Sequence, residues 1–165
     1  MRGADLPLLV TALRTPIETF VRESRVRIAL LITGSGQVLA QHGFTSGYEV
    51  MNVASLAAAA HASSGALADV LQTGGWSHLH HAGDHQQLFL ATLETPVGRL
   101  ILVSIFDRES SSLGLVQLFF GQLAARVRTM PELSRTQQAA DQRTFERDLQ
   151  AGLDRVFLPG GGSEG

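Results

Sequence analysis

"EVMNVASLAAAAHASSGALADVLQ", Glu49 to Gln72, is the stretch on which the reading of the whole chain turns. Alanine and leucine favour helix throughout and no proline interrupts, so the stretch predicts one long helix. Val53, Leu56, Ala60, Leu67 and Leu71 follow a 3.6-residue period and are expected to cover a sheet. A helix lying on a domain surface turns a charged face to water on its other side. Here that side offers Met51, Ser55, Ala58, Ala62 and Gly65, and Asp69 is the one charge after Glu49. Small residues let another backbone come close. Two readings stand open, a helix buried within its own domain and a helix packed on a second chain; the missing charge favours the second.

Upstream, "VRIALLI" (Val26 to Ile32) is an almost unbroken apolar run rich in branched residues, followed by "TGSGQ" and "VLAQH". That is a buried strand, a glycine turn and a second strand. Gly34 and Gly36 do not make a phosphate loop, because a strand follows them and no third glycine stands three residues on. Before this hairpin, "TPIE" reads as a helix start: Thr15 caps, Pro16 takes the first helical position and Glu18 completes a capping box. Ile17, Phe20 and Val21 supply its apolar stripe.

Downstream, two glycines end the long helix, and "WSHLHHA" and "QQLFLATL" flank Gly83-Asp84, a dipeptide suited to a two-residue hairpin turn. "TPVGR" makes the next turn and "LILVSIF" (Leu100 to Phe106) another buried strand. After "DRESSS", Leu113 to Thr129 is expected to be a helix with Leu115, Leu118, Phe119, Leu123 and Val127 inward, broken by Pro131. A further amphipathic helix is expected over about Thr144 to Phe157, with Phe145, Leu149, Leu153 and Val156 on one side. "PGGGSEG" ends the chain as a disordered tail. The expected division is a domain over 1–130, a helical extension over 131–158 and a tail over 159–165.

Composition narrows the chemistry. With 44% hydrophobic residues and 17% charged, the 165-residue chain reads as globular. It contains no cysteine, which removes disulfides, thiolate metal sites and a cysteine nucleophile. All thirteen cations are arginines, and none lies between Ile28 and Gly98. A net charge of -2 with a cation-free middle argues against nucleic-acid binding. Schiff-base and P-loop chemistry both need a lysine, and there is none. No apolar run is long enough for a membrane span, and the N-terminus is too poor in apolar residues for a secretory signal, so a cytoplasmic protein is expected.

"HLHHAGDH" (His78 to His85) gathers four of the six histidines. With Gly83 and Asp84 as central turn residues, Ala82 faces His85, His80 faces Gln87 and His78 faces Phe89. His78, His80 and His85 would then share one face and His81 the other. That is compatible with a zinc or nickel site, but only Asp84 stands near as a supporting carboxylate, and a solvated strand face is the preferred reading. An acid-base centre would need a nucleophile or pocket, yet no G-x-S-x-G elbow occurs between a strand and a helix and Ser110 to Ser112 have no partnered base in sequence. His61 and His42 read as packing or surface residues. No catalytic residue, metal ligand or cofactor is assigned, and a histidine-based metal-binding or catalytic domain is kept as the alternative.

The order helix, two strands, long helix, three strands, helix resembles the Roadblock family of dynein-light-chain-like proteins, and within it the MglB-type partners of the Ras-like GTPase MglA. The resemblance rests on "IALLITGSGQVLAQHG", on "VASLAAAAHASSGALADVL" and on "LILVSIFDRESSSLGLVQL", and covers roughly Ile17 to Thr129. It implies an α+β fold of profilin-like kind, a five-stranded antiparallel sheet sandwiched by helices. It also implies a homodimer in which the edge strand after the long helix pairs with its copy, with Trp76, His78, His80 and His81 at the seam and the long helices side by side. Such proteins bind the GTPase on the face of the paired long helices and promote hydrolysis by rearranging its switch loops, without lending an arginine finger. By position, Met51, Ser55, Ala58, Ala62, Gly65 and Asp69 are the expected docking residues. The resemblance thus implies a non-catalytic regulator or scaffold in cell polarity.

Overall fold

The computed structural model describes residues 6–133, together with 144, 146–148 and 150. Eight elements follow in the order α1 (Leu6–Ser24), β1 (Ile28–Thr33), β2 (Val38–His42), α2 (Gly47–Leu71), β3 (His78–Ala82), β4 (Gln86–Thr95), β5 (Gly98–Asp107) and α3 (Leu113–Arg128). The strands form one antiparallel sheet in the order β2-β1-β5-β4-β3. This is the α+β architecture expected, with helices on both faces.

The two apolar runs become β1 and β5, the inner strands, which explains their lack of alternation: a strand covered on both faces needs apolar residues at every position. Leu31, Leu102 and Phe106 point with Phe89 and Leu93 toward α1 and α3, which contribute Leu9, Leu13, Ile17, Phe20, Val116, Leu123 and Val127. Leu30, Ile32, Leu90, Ile101 and Val103 point the other way, under Val50, Ala54 and Ala57 of α2.

Three expectations are corrected here. First, α1 begins at Leu6 and Pro16 lies inside it. Pro16 has no N–H to offer the Ala12 carbonyl, normally a helix-breaking loss. The helix continues because Leu9, Leu13, Ile17 and Phe20 form one stripe buried against the sheet, and tertiary packing overrides local propensity. Secondly, α2 presents a different face. Val50, Ala54, Ala57 and Ala68 are buried, whereas Leu56, Leu67 and Leu71, expected to cover the sheet, are exposed. The sheet supplies the bulk through its own leucines and isoleucines, and alanines let the helix lie close. A Cβ on Gly36, in the turn between β1 and β2, would meet the Ala58 Cβ at 3.6 Å. Thirdly, Leu118 points to solvent, while Val116 and Ala124 take inward places on α3.

Serines fasten the ends. Ser46 caps α2 by accepting from the Glu49 N–H, and Ser112 caps α3 by accepting from the Leu115 N–H. Ser111 donates to the Ser24 carbonyl, tying the end of α1 to the start of α3, and Ser110 donates to the Asp107 carbonyl. The serine cluster is therefore structural. Beyond α3, Pro131 opens a short helical turn over 131–133, and Leu133 is fully buried in the core beside α1. The apolar stripe expected at Phe145, Leu149, Leu153 and Val156, like the tail over 159–165, lies outside the described residues.

Two substitutions separate strain from polarity in this core. Gly43 has φ +85°, and a Cβ there would stand 2.2 Å from the Arg27 carbonyl oxygen. Gly43→Ala should lower stability by more than about 2 kcal/mol. Ser104 on β5 is fully buried, and its hydroxyl has no hydrogen-bond partner among the described residues. Ser104→Ala should leave stability within about 1 kcal/mol or raise it, since it removes an unpaired polar group at little change in volume. Urea denaturation of the two variants against the parent chain measures both.

Candidate functional site

Because α2 turns its small residues to the sheet, its large ones are left outside. Met51, Leu56, Leu67, Val70 and Leu71 are all exposed, Leu56 at 71% and Val70 at 79% of their full surface, and Trp76 follows at 45%. Single exposed apolar residues are ordinary, but five along one helix, with Ala59, Ala62 and Ala66 also exposed between them, make its outer side mostly apolar. Its only charges are Glu49 in the first turn and Asp69 near the end.

The residues expected to dock a partner divide between two sides of α2. Met51, Ser55, Ala62 and Asp69 lie on the exposed side. Ala58 and Gly65 are half-buried: Ala58 packs with the α2-side core, and Gly65 lines a cleft of about 330 Å³. The cleft opens where the second half of α2 rises from the sheet, with Leu90 and Thr92 of β4 as its floor and His61 and Trp76 on its walls. Trp76 is held there by its Nε1–H, which donates to the Ser64 carbonyl at 2.9 Å. Glu94 and Arg99 close one end as an ion pair at 2.7 Å.

Next to this surface lies β3, one of the two edges of the sheet. The other edge, β2, carries a bulge that places an extra residue at Leu39, and α1 packs against it. The pairing of β3 with β4 is unbroken, and β3 contains neither proline nor lysine. It is the unguarded edge, of the kind that invites a further strand.

The histidine hairpin is shifted from its expected register. Ala82 pairs with Gln87, His80 with Phe89 and His78 with Ala91, so the central turn residues are Asp84 and His85, one step later than Gly83-Asp84. Gly83 instead takes the position where the Gln86 carbonyl comes so near that a Cβ would sit 2.5 Å from its oxygen. His78 and His80 therefore share the face toward α3, His81 lies on the face toward α2 with Leu79, and His85 is in the turn. His78 Nδ1 is 3.0 Å from the Ser77 hydroxyl, and its Nε2 is 3.1 Å from Gln117 Nε2 on α3. His80 Nε2 is 2.7 Å from Gln87 Oε1, and its ring stacks on Phe106. Among the described residues no three His, Asp or Glu side chains converge as metal ligands would, and no carboxylate forms an ion pair with a histidine.

The exposed apolar face of α2 was missed from sequence, although a signal for it exists. Val50, Ala54, Ala57, His61, Ser64 and Ala68 also recur at helical spacing, and this second series is the one that meets the sheet. Among the described residues no helix is long and apolar enough to cross a membrane.

Comparison with known proteins agrees with this geometry. The MglB of Myxococcus xanthus superposes with a TM-score of 0.64 at 24% identity, covering 78% of this chain and 97% of that one. An MglB of tetrameric arrangement gives 0.60 at 28% identity, covering 78% and 93%. The gliding protein MglB of Thermus thermophilus gives 0.60 at 26% identity, covering 84% and 95%. No curated protein sequence matches the chain. The model of the Roadblock/LC7 domain matches residues 16–105, more than half of the 165 residues, and the chain belongs to that family, in which it is MglB-like.

Proposed function

We propose that the protein is a dimeric regulator of a Ras-like small GTPase of MglA type, docking on its switch regions through a pair of α2 helices. The observation that carries this reading is the mostly apolar outer side of α2 beside the unguarded edge β3. Pairing of β3 with its copy satisfies the open edge and brings two α2 helices to the same face of a ten-stranded sheet. Part of the exposed apolar surface is then covered by the second copy, and the rest forms a broad platform. Family membership and likeness to MglB proteins support the choice of partner. Docking falls on Met51, Ser55, Ala62 and Asp69, with Ala58 and Gly65 contributing from the half-buried side, and the dimer seam on Trp76, His78, His80 and His81. The domain over 1–130 carries this role, with 131–158 as an extension.

The platform contains no arginine, since none lies between Ile28 and Gly98. Arg99, which lines the cleft beside α2, is tied to Glu94 at 2.7 Å, so the protein acts by positioning the switch loops of its partner rather than by supplying charge.

Two measurements test the proposal. At micromolar concentration, light scattering should give twice 17.7 kDa; a monomeric mass with an intact circular-dichroism spectrum overturns the dimer. Ser55 and Ala62 stand two helical turns apart on the exposed side of α2. Ser55→Arg with Ala62→Arg should weaken GTPase binding by tenfold or more while the fold survives, because unpaired guanidinium groups resist burial. Ala58 is a poorer probe, being packed against the turn at Gly36. In single-turnover hydrolysis, replacing any one arginine should change stimulation by less than about tenfold, far from the ~10³ loss that removing an arginine finger causes. Full stimulation by the double variant places the partner on another face.

A further inference from the structure

We propose that β3 makes self-association acid-sensitive: when the strand pairs with its copy, histidine is set opposite histidine, and protonation drives the two copies apart. This rests on the dimer proposed above and concerns its regulation.

The geometry follows from symmetry. Two sheets joined edge to edge by a two-fold axis perpendicular to them pair β3 antiparallel, and directly opposed side chains share a face. The two opposed residue numbers must then be both even or both odd. Strand β3 has five residues, His78–Ala82. The registers that pair at least three of them centre on Leu79, His80 or His81. Centred on Leu79, His78 faces His80 of the partner subunit, twice over. Centred on His80 or on His81, that residue faces its own copy. Every such register therefore opposes at least one pair of imidazoles, at a Cβ separation of about 4.5–5.5 Å.

No carboxylate among the described residues forms an ion pair with these rings. Gln117 Nε2 can only donate, so His78 Nε2 accepts and its proton lies on Nδ1, toward the Ser77 hydroxyl. Gln87 Oε1 can only accept, so His80 donates from Nε2. The faces of these rings meet Phe89 and Phe106. On the strand beside them, Gln86 to Ala91 carry no charge, and neither do residues 113–121 of α3. Leu79 and Leu88 flank His81. Among the described residues, the charged groups around this edge are Glu94, which lines the same cleft as His78 and is tied to Arg99 at 2.7 Å, Asp84 in the turn, and Asp107, which faces Gln86 and lies 3.9 Å from Arg27; α2 adds only Glu49 and Asp69. None of these pairs with His78, His80 or His81.

The sign is then fixed. Histidine in general changes charge near pH ~6.5. Above that, neutral rings oppose one another across the seam. Below it, imidazolium faces imidazolium without a counter-charge, so the dimer binds protons less readily than the monomer and dissociates as the pH falls.

The test is sedimentation of the full chain at pH 7.5 and pH 5.5, with a chelator present at both, for the parent chain and for His78→Gln/His80→Gln/His81→Gln. For the parent, the dissociation constant should rise on the order of tenfold or more between the two values. The triple variant should dimerise equally at both. His42→Gln with His85→Gln, outside the seam, should keep the parent's response and serves as the histidine control if the triple variant does not fold. A parent dimer indifferent to pH overturns the switch and leaves the dimer standing. So does a triple variant that still responds, and so does dissociation by the chelator at pH 7.5, which would mean a bound metal. A parent chain monomeric at pH 7.5 overturns the dimer and the switch together.

Discussion

The close seating of α2 on the sheet is the constraint from which the rest of the molecule follows. Ala54, Ala57 and Ala58 bring the helix down beside Gly36, while the leucines and isoleucines of β1, β4 and β5 fill the space between. With these small residues inward, Met51, Leu56, Leu67, Val70 and Leu71 are shown outward, among the remaining alanines and serines. In most surface helices the opposite arrangement buries bulk and leaves solvent a polar stripe. Here the stability of the sheet-helix layer is obtained largely from the strands, and the outer side of α2 is free to serve something else.

The same asymmetry runs through the sheet. One face is closed by two helices that together bury Phe20, Phe89, Phe106 and a dozen aliphatic side chains. The other is closed by α2 alone, which packs over β1 and β2 and rises away toward β3. Of the two edges, β2 is interrupted by a bulge and lies under α1, and β3 is regular and open. Thin cover and an open edge thus coincide on one side of the molecule. An isolated domain gains nothing from that coincidence, whereas an assembling one requires it.

Much of this was readable from residue order alone, for reasons that differ between elements. The runs from Val26 and from Leu100 could only be inner strands, because apolar residues at consecutive positions need cover on both faces. Gly36 sits in the expected glycine turn with a positive φ, whereas Ser46 and Ser112 emerge as caps only in the fold. The failures also have identifiable causes. Pro16 looked like a helix start because local rules hold that place for proline, and only the buried stripe from Leu9 onward shows why the helix runs through it. The inward face of α2 was misread because size was taken to decide orientation, when the facing sheet decides it. The hairpin at Gly83 slipped by one because glycine was read as a turn residue; it is needed for the approach of the Gln86 carbonyl. Of the residues expected to dock a partner, Ala58 and Gly65 sit half-buried toward the sheet, which no pattern of small residues could distinguish.

Charge placement bears on how such a platform would act on a nucleotide-bound partner. A protein that stabilises a phosphoryl-transfer transition state directly needs a cation at the contact, and arginine is the only one in this chain. Every arginine in the described domain belongs to α1, to the segment leading into β1, or to positions from Arg99 onward. Arg99 lines the cleft beside His61, Ser64 and Gly65 of α2, where it is engaged with Glu94. What the outer side of α2 presents is apolar area bounded by Glu49 and Asp69, and carboxylates near a phosphate would oppose rather than neutralise developing negative charge. A partner docked there gains burial and shape, not charge. On the proposed reading, in which a small GTPase docks here, acceleration of hydrolysis would come from fixing groups that the partner itself carries, and its size would be limited by how far those groups are from their productive positions beforehand.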